Sequence, residues 1–136
     1  MKFSFDFDST LSRRSVQHIA KLLIKAGHEV HIVTSRYEDT AKYVMADCIG
    51  QCHVDLFRVS DRLGIKRENI HFMNMKDKYH FFLENPDFVF HLDDDVKEIL
   101  LIQAQTVVMG ILCDYSAEWK DTVEEVFKRL ELDLAL

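Results

Sequence analysis

Lys2-Phe3-Ser4-Phe5-Asp6-Phe7-Asp8-Ser9-Thr10 begins with apolar side chains at every second position and breaks off in acids and hydroxyls. Phe3, Phe5 and Phe7 at period two, among β-forming neighbours, predict a strand over Lys2–Asp8 that runs into a turn at Ser9-Thr10. The same alternation sets Asp6 and Asp8 on one face, so two carboxylates converge at the strand's end. The period then changes. Val16, Ile19, Ala20, Leu23 and Ala26 fall at helical spacing over Ser15–Ala26, and Gly27 stands where a helix would stop. A strand passing almost directly into a helix is half of a β/α unit.

Working outward, the alternation repeats. Val30–Thr34 reads as a strand, and Glu38–Ile49 as a helix with Ala41, Val44, Met45 and Cys48 on one stripe. Val54–Leu63 is a second helical stretch closed by Gly64, and Ile70–Met73 a short strand. Asp77–Glu84 reads as a helix capped by Asp77 and ended by Asn85-Pro86, because a residue before proline is pushed out of the α region. Phe88–Leu92 is a strand of nearly continuous apolar character, broken only by His91, as suits a sheet covered on both faces. Val96–Gln103 is a helix, Val107–Cys113 a strand, and Ser116–Leu130 an amphipathic helix with Trp119, Val123, Val126, Phe127 and Leu130 on one face. Roughly five such units predict an α/β fold, a single doubly wound parallel sheet with helices on both faces.

The chain has 136 residues, 48% hydrophobic and 29% charged, which is one globular domain over residues 1–136. A net charge of -6 argues against a general coat for duplex DNA or anionic membrane, since both need a basic face. Cys48, Cys52 and Cys113 are odd in number and lack framework spacing, so free thiols in a reducing compartment are expected. The run Phe3–Phe7 is too short and too acidic for a signal peptide or membrane span, so the expected location is cytoplasmic, with no membrane partner. Cys48, Cys52 and His53 fit neither a zinc knuckle nor a haem attachment motif and read as helix packing, and the alternating Leu132, Leu134 and Leu136 as tail packing. His91, on the fourth strand, reads as a core or supporting histidine.

Ligands of open parallel sheets bind beyond the carboxyl ends of the strands. The first strand ends in Asp6-Phe7-Asp8-Ser9-Thr10 and the second in Thr34-Ser35-Arg36. The third is followed by Lys76-Asp77-Lys78, and the fourth ends in Asp93-Asp94-Asp95. Carboxylates gathered in this way are costly without a hard cation, and oxygen-only donors suit Mg²⁺.

The order of these motifs resembles the haloacid dehalogenase superfamily of phosphohydrolases. An apolar strand followed by Asp-x-Asp-x-Thr is matched by Phe3–Leu11. A second strand ending in Thr or Ser is matched by Val30–Thr34, and a lysine at a helix start by Lys78, with Lys76 as the alternative. A strand ending in paired acids is matched by Phe90–Asp94. Ser9 stands where glycine is common in the superfamily. The resemblance implies a Mg²⁺-dependent phosphomonoesterase in which Asp6 is the nucleophile, giving an aspartyl-phosphate, and Asp8 the general acid and base. Asp6, the backbone carbonyl of Asp8 and Asp94 would hold the metal, with Asp93 in support. Thr34 and Lys78 would hold the equatorial phosphate oxygens.

Members of the superfamily carry a cap after the first or third strand. Asp8 is followed almost at once by Ser15–Ala26, and Met73 by Lys78, so no cap domain is expected. The resemblance is then to the capless branch, which implies exposed phosphates as substrates: a nucleotide, a nucleic-acid end or another phosphometabolite, handled by a monomer or homo-oligomer. Ser9, Thr10 and Ser35 lie where a substrate phosphate would pass, and Arg13, Arg14 and Arg36 could form a basic rim. Two other readings use the same residues: a catalytically silent phosphate- or metal-binding module, and a receiver-like regulatory domain. The latter would need an acid after the third strand, where Asn74 and Met75 stand.

Overall fold

A computed structural model describes residues 1–39 and 53–134. Strands β1 (Lys2–Phe5), β2 (Glu29–Thr34), β3 (Ile70–Phe72), β4 (Phe88–Asp93) and β5 (Met109–Leu112) form one sheet in the order β3-β2-β1-β4-β5, with every neighbouring pair parallel. The chain starts at the centre, winds outward through β2 and β3, then crosses back to β4 and β5. β1 and β4 therefore flank the point where the winding reverses, the place where such sheets open a crevice.

Helices cover both faces, as the alternation of elements predicts. α1 (Arg14–Lys25), α2 (Val54–Leu63) and α5 (Glu118–Arg129) bury Val16, Ile19, Leu56, Trp119 and Phe127 in one core with Phe3, Phe5, Ile32 and Phe90 of the sheet. α3 (Tyr79–Glu84) and α4 (Val96–Gln105) place Phe82 and Ile102 in a smaller core with Val33, Phe88 and Val108. Phe88 and Phe90 lie in different cores although they are two residues apart. The register between β1 and β4 slips by one residue, Lys2 pairing Phe88 but Ser4 pairing His91. A one-residue bulge turns every following side chain to the other face, so Phe90 and Leu92 join the larger core and His91 and Asp93 the opposite side.

Several boundaries differ from the sequence reading. β1 stops at Phe5, three residues earlier than expected. Phe7–Leu11 is a turn closed by bonds from Leu11 N–H to the Asp6 carbonyl and from Ser12 N–H to the Phe7 carbonyl, both 3.0 Å. Burial of Phe7 and Leu11 draws this turn inward, and Ser9 sits in the left-handed region at φ 57. Glycine reaches that conformation without steric cost, whereas Ser9 is held there by the packing of the turn. α3 begins at Tyr79, and Asp77 does not cap it. Lys78 takes the N-cap position, and its N–H donates to Glu98 Oε2 of α4 at 2.8 Å. Glu38 and Asp39 are bends rather than helix; the rest of the helix expected over 38–49 lies outside the described residues, as do Cys48, Cys52 and Leu136.

The joins from β1 to α1 and from β3 to α3 span only Asp6–Arg13 and Met73–Lys78, which leaves no room for a separate cap in either. Among the described residues no helix is long and apolar enough to cross a membrane.

Candidate active site

Asp6 follows β1 directly, its N–H still bonded to the Leu92 carbonyl of β4 at 2.8 Å, so it stays in line with Asp93 on the adjacent strand. Both side chains lie on the α3–α4 face, and Lys78 comes up between them from the start of α3. Its ammonium stands 2.9 Å from Asp6 Oδ1 and 2.5 Å from Asp93 Oδ2, with all three residues buried. Asp94, one residue on, is exposed at the mouth. The Thr10 hydroxyl lies 3.4 Å from Asp6 Oδ2 and 3.5 Å from Asp94 Oδ1. Oxygens of Asp6, Asp93 and Asp94 all lie within 4.8 Å of one another, a donor set of the size a cation needs. These residues open into a cleft of about 290 Å³, also lined by Asp8, Ser9, Ser35 and Asp95.

The charges in this cluster are uneven. Burial raises the Asp6 carboxyl well above the usual range, and Lys78 offsets this only in part. Burial opposes the charge of Asp93 too, but the His91 N–H and the Lys78 ammonium outweigh it and hold the carboxyl down at about 2. Lys78 is raised, because its two carboxylates overcome its own desolvation.

Asp93 is held from behind as well. His91 Nε2 lies 2.8 Å from Asp93 Oδ2, and His91 Nδ1 lies 2.9 Å from Ser4 Oγ. A carboxylate only accepts, so Nε2 carries the proton and Nδ1 accepts from the Ser4 hydroxyl. Burial lowers the His91 pKa, in keeping with a neutral ring. Asp93 Oδ1 takes the Asp95 N–H at 3.1 Å. Both oxygens of Asp93 are thus engaged within the protein, which leaves Asp94 the freer ligand. Ser4 and His91 were legible as polar residues at inward positions of apolar strands; the bulge that makes them partners was not.

Asp8 departs from expectation. Because β1 ends early, its carboxylate does not join Asp6, Asp93 and Asp94, and it is held bidentately by Arg36, Nη2 to Oδ1 at 2.7 Å and Nε to Oδ2 at 3.0 Å. The same guanidinium donates twice to Asp55 of α2, each bond 3.0 Å, and lies over the Phe7 ring. Asp8 and Asp55 together raise Arg36 against the effect of burial. Arg36 is therefore engaged with two acids and positions Asp8 at the cleft edge. Nothing in the sequence pattern singles out Asp55.

Arg13 is committed too. It donates to the carbonyls of Cys113 at 2.8 Å and Asp114 at 2.9 Å and packs against the Tyr115 and Trp119 rings, tying the turn after Asp6 to the end of β5. Thr34 is fully buried behind the cleft with its hydroxyl accepting the Arg36 N–H at 3.3 Å, and Ser35 beside it lines the cleft. Of the two candidate lysines, Lys78 is buried in the cluster and Lys76 is exposed.

No family model matches the chain, and no curated protein matches it.

Proposed function

We propose that the chain is a Mg²⁺-dependent phosphomonoesterase that works through a phosphorylated Asp6 and acts on an exposed phosphate. The observation that supports this most is the cluster of Asp6, Asp93 and Asp94 around the single ammonium of Lys78, at the point where the sheet's winding reverses. With Asp6 ionised, as a nucleophile must be, three carboxylates against one ammonium leave two negative charges uncompensated, and burial of Asp6 resists that state unless a cation is bound. A hard divalent cation on oxygen-only donors makes up that deficit. Asp6 and Asp94, with the backbone carbonyl of Asp8, would hold it, while Asp93 acts through Lys78. Bound there, Mg²⁺ supplies electrostatic shielding between an anionic phosphate and an anionic nucleophile.

On this reading a carboxylate oxygen of Asp6 attacks phosphorus in line. The bond to the leaving oxygen breaks, and Asp8, entering the step protonated on one oxygen while the other keeps its bond to Arg36, delivers that proton to the leaving oxygen. Asp8, now ionised, takes a proton from water. That water attacks the same phosphorus, the Asp6–phosphorus bond breaks, and inorganic phosphate leaves. Lys78 and the Thr34-Ser35 strand end would hold the other phosphate oxygens, where charge builds in the transition state. Arg36 keeps the Asp8 carboxylate aimed across the cleft edge. The same reading puts the protein in the cytoplasm, where the buried Cys113, its thiol pushed up to about 12 by burial, stays reduced.

The deciding experiment is hydrolysis of an aryl phosphate with and without Mg²⁺. Wild type should turn over and be silenced by EDTA. D6N should lose at least about a thousandfold while keeping its fold. D8N should still release a good aryl leaving group once, giving a burst of phosphorylated protein. Turnover by D6N, or full activity in EDTA, would sink the proposal. Absence of any wild-type activity would favour a silent binding module.

A further inference from the structure

With Arg13 and Arg36 both occupied, the cations free to meet a larger anion lie elsewhere. α1 carries Arg14, His18, Lys21 and Lys25 and not one acid. Steps of four, three and four residues set them in a single stripe, and all four are exposed. Beside it, α2 presents Arg62, with Arg58 one turn earlier on the same side. Between the helices runs a groove of about 320 Å³, lined by Arg14, Gln17, His18, Lys21, Arg62 and Leu63.

Three features mark the groove as more than scattered surface charge. The first is neutralisation. Among the described residues none of Arg14, Lys21, Lys25, Arg58 and Arg62 takes part in an ion pair, while α2's own acids Asp55 and Asp61 are turned to Arg36 and Arg67. On a chain of net charge -6 this is a strong local reversal of sign. The second is preorganisation. Gln17 is buried and its Nε2 donates to the Ser12 carbonyl at 3.2 Å, which leaves Oε1 to accept from Arg62 Nη2 and hold that guanidinium over the groove. The third is position. Arg14 opens α1 four residues beyond Thr10, which touches Asp6 and Asp94, so the stripe starts at the end of the helix that the chain enters from the cleft. From there to Lys25 it runs about 16 Å at 1.5 Å per residue, the length of about five stacked nucleotides.

We propose that the α1–α2 groove is a track for the phosphodiester backbone of a nucleic acid whose terminal phosphate enters the cleft at Asp6. The chemistry at that end rests on the phosphatase reading; the binding does not. A membrane surface would want apolar side chains between the cations, and among the described residues the only apolar lining residue is Leu63.

The test is fluorescence anisotropy in EDTA with a labelled single strand of about ten nucleotides phosphorylated at its far end, repeated across salt concentrations. Wild type should bind, with affinity falling about two to three powers of ten per tenfold rise in salt, as three to four neutralised phosphates require. The variant K21E/K25E/R62E should lose binding at least about tenfold and flatten that salt dependence. Its kcat/KM for a small aryl phosphate in Mg²⁺ should stay within about twofold of wild type. K128E, a reversal on α5 away from the groove, should bind as wild type does. Equal losses in K128E and the triple variant would make net charge the cause and overturn the track. So would failure of wild type to bind the strand, or equal capture of polyglutamate or phosphatidylserine vesicles. Strand binding without aryl phosphate hydrolysis would leave the track standing and remove the phosphatase reading; hydrolysis without strand binding would do the reverse.

Discussion

His91 does its work through neighbours: the Ser4 hydroxyl orders one ring nitrogen, and the other presents an N–H to Asp93, which in turn shares Lys78 with Asp6. Without that N–H, Asp93 Oδ2 loses the bond that fixes its orientation and turns wholly to Lys78, drawing the shared ammonium away from Asp6. On the proposed phosphatase reading, H91L should therefore lower kcat for an aryl phosphate about ten- to a hundredfold with little change in KM. H91Q keeps an N–H near Nε2 and should recover most of the loss. Equal loss in the two variants would reduce His91 to packing. At the same scale, Asp8 shows how one residue's surroundings revise its role: its bidentate pair with Arg36 makes Arg36 a positioning residue for Asp8 rather than a free cation on the rim.

Elements meet through contacts that single residues set. β2 and β3 are joined on the α3–α4 face by His31 and His71, whose rings lie parallel with Nδ1 and Nε2 2.9 Å apart, and His31 continues to Glu29 at 3.3 Å. Burial pushes both histidines down, His71 to about 4 from an ordinary 6.5. The folded state thus binds fewer protons than the unfolded chain between those values. The stability that depends on a neutral His71 is complete above pH 6.5 and is lost as the pH falls from there to about 4. Urea unfolding at a series of pH values should show this slope, and H71F should flatten it; an unchanged slope in H71F would remove His71 as its source. On the other side of the sheet order, Gly110 lets α4 close on β5. A Cβ there would stand 3.2 Å from the Ile99 carbonyl and 3.3 Å from its Cγ2. G110A should cost about 1–3 kcal/mol in urea unfolding, because a helix backbone has to move. A wild-type midpoint in that variant would mean the helix is loosely seated.

Across the whole molecule, charge is sorted by place. Acids gather at the carboxyl ends of β1 and β4 and along α5, while the charged residues of α1 are all basic. A cation that binds the folded cluster and not the unfolded chain stabilises the whole fold by mass action, about 2.7 kcal/mol at a hundredfold excess over Kd. Melting in Mg²⁺ against EDTA should therefore show an upward shift that D94N largely abolishes. D61N, in an acid paired with Arg67 away from the cleft, should keep it. Identical shifts in D94N and wild type would place the cation elsewhere.

Element order, the parallel sheet and the strand ends carrying Asp6, Thr34, Asp93 and Asp94 were readable from periodicity, because a helix or strand imprints its period on nearby residues, whereas Lys78 stood out from Lys76 only through the resemblance. Parallel winding then forces those ends to one side of the sheet, so the cluster's membership was nearly legible before any contact was seen. What periodicity does not carry is where a strand lets go and how two strands register. The early end of β1 sent Asp8 to Arg36, and the bulge in β4 put His91 behind Asp93; both follow from burial of Phe7 and Leu11 and from pairing between residues far apart in the chain. The sequence by itself determined which chemical groups stand at the mouth of the sheet. Only the tertiary structure decided which carboxylates share the one buried ammonium and which arginines are already taken. Those choices depend on register and desolvation, and both are set by non-local packing.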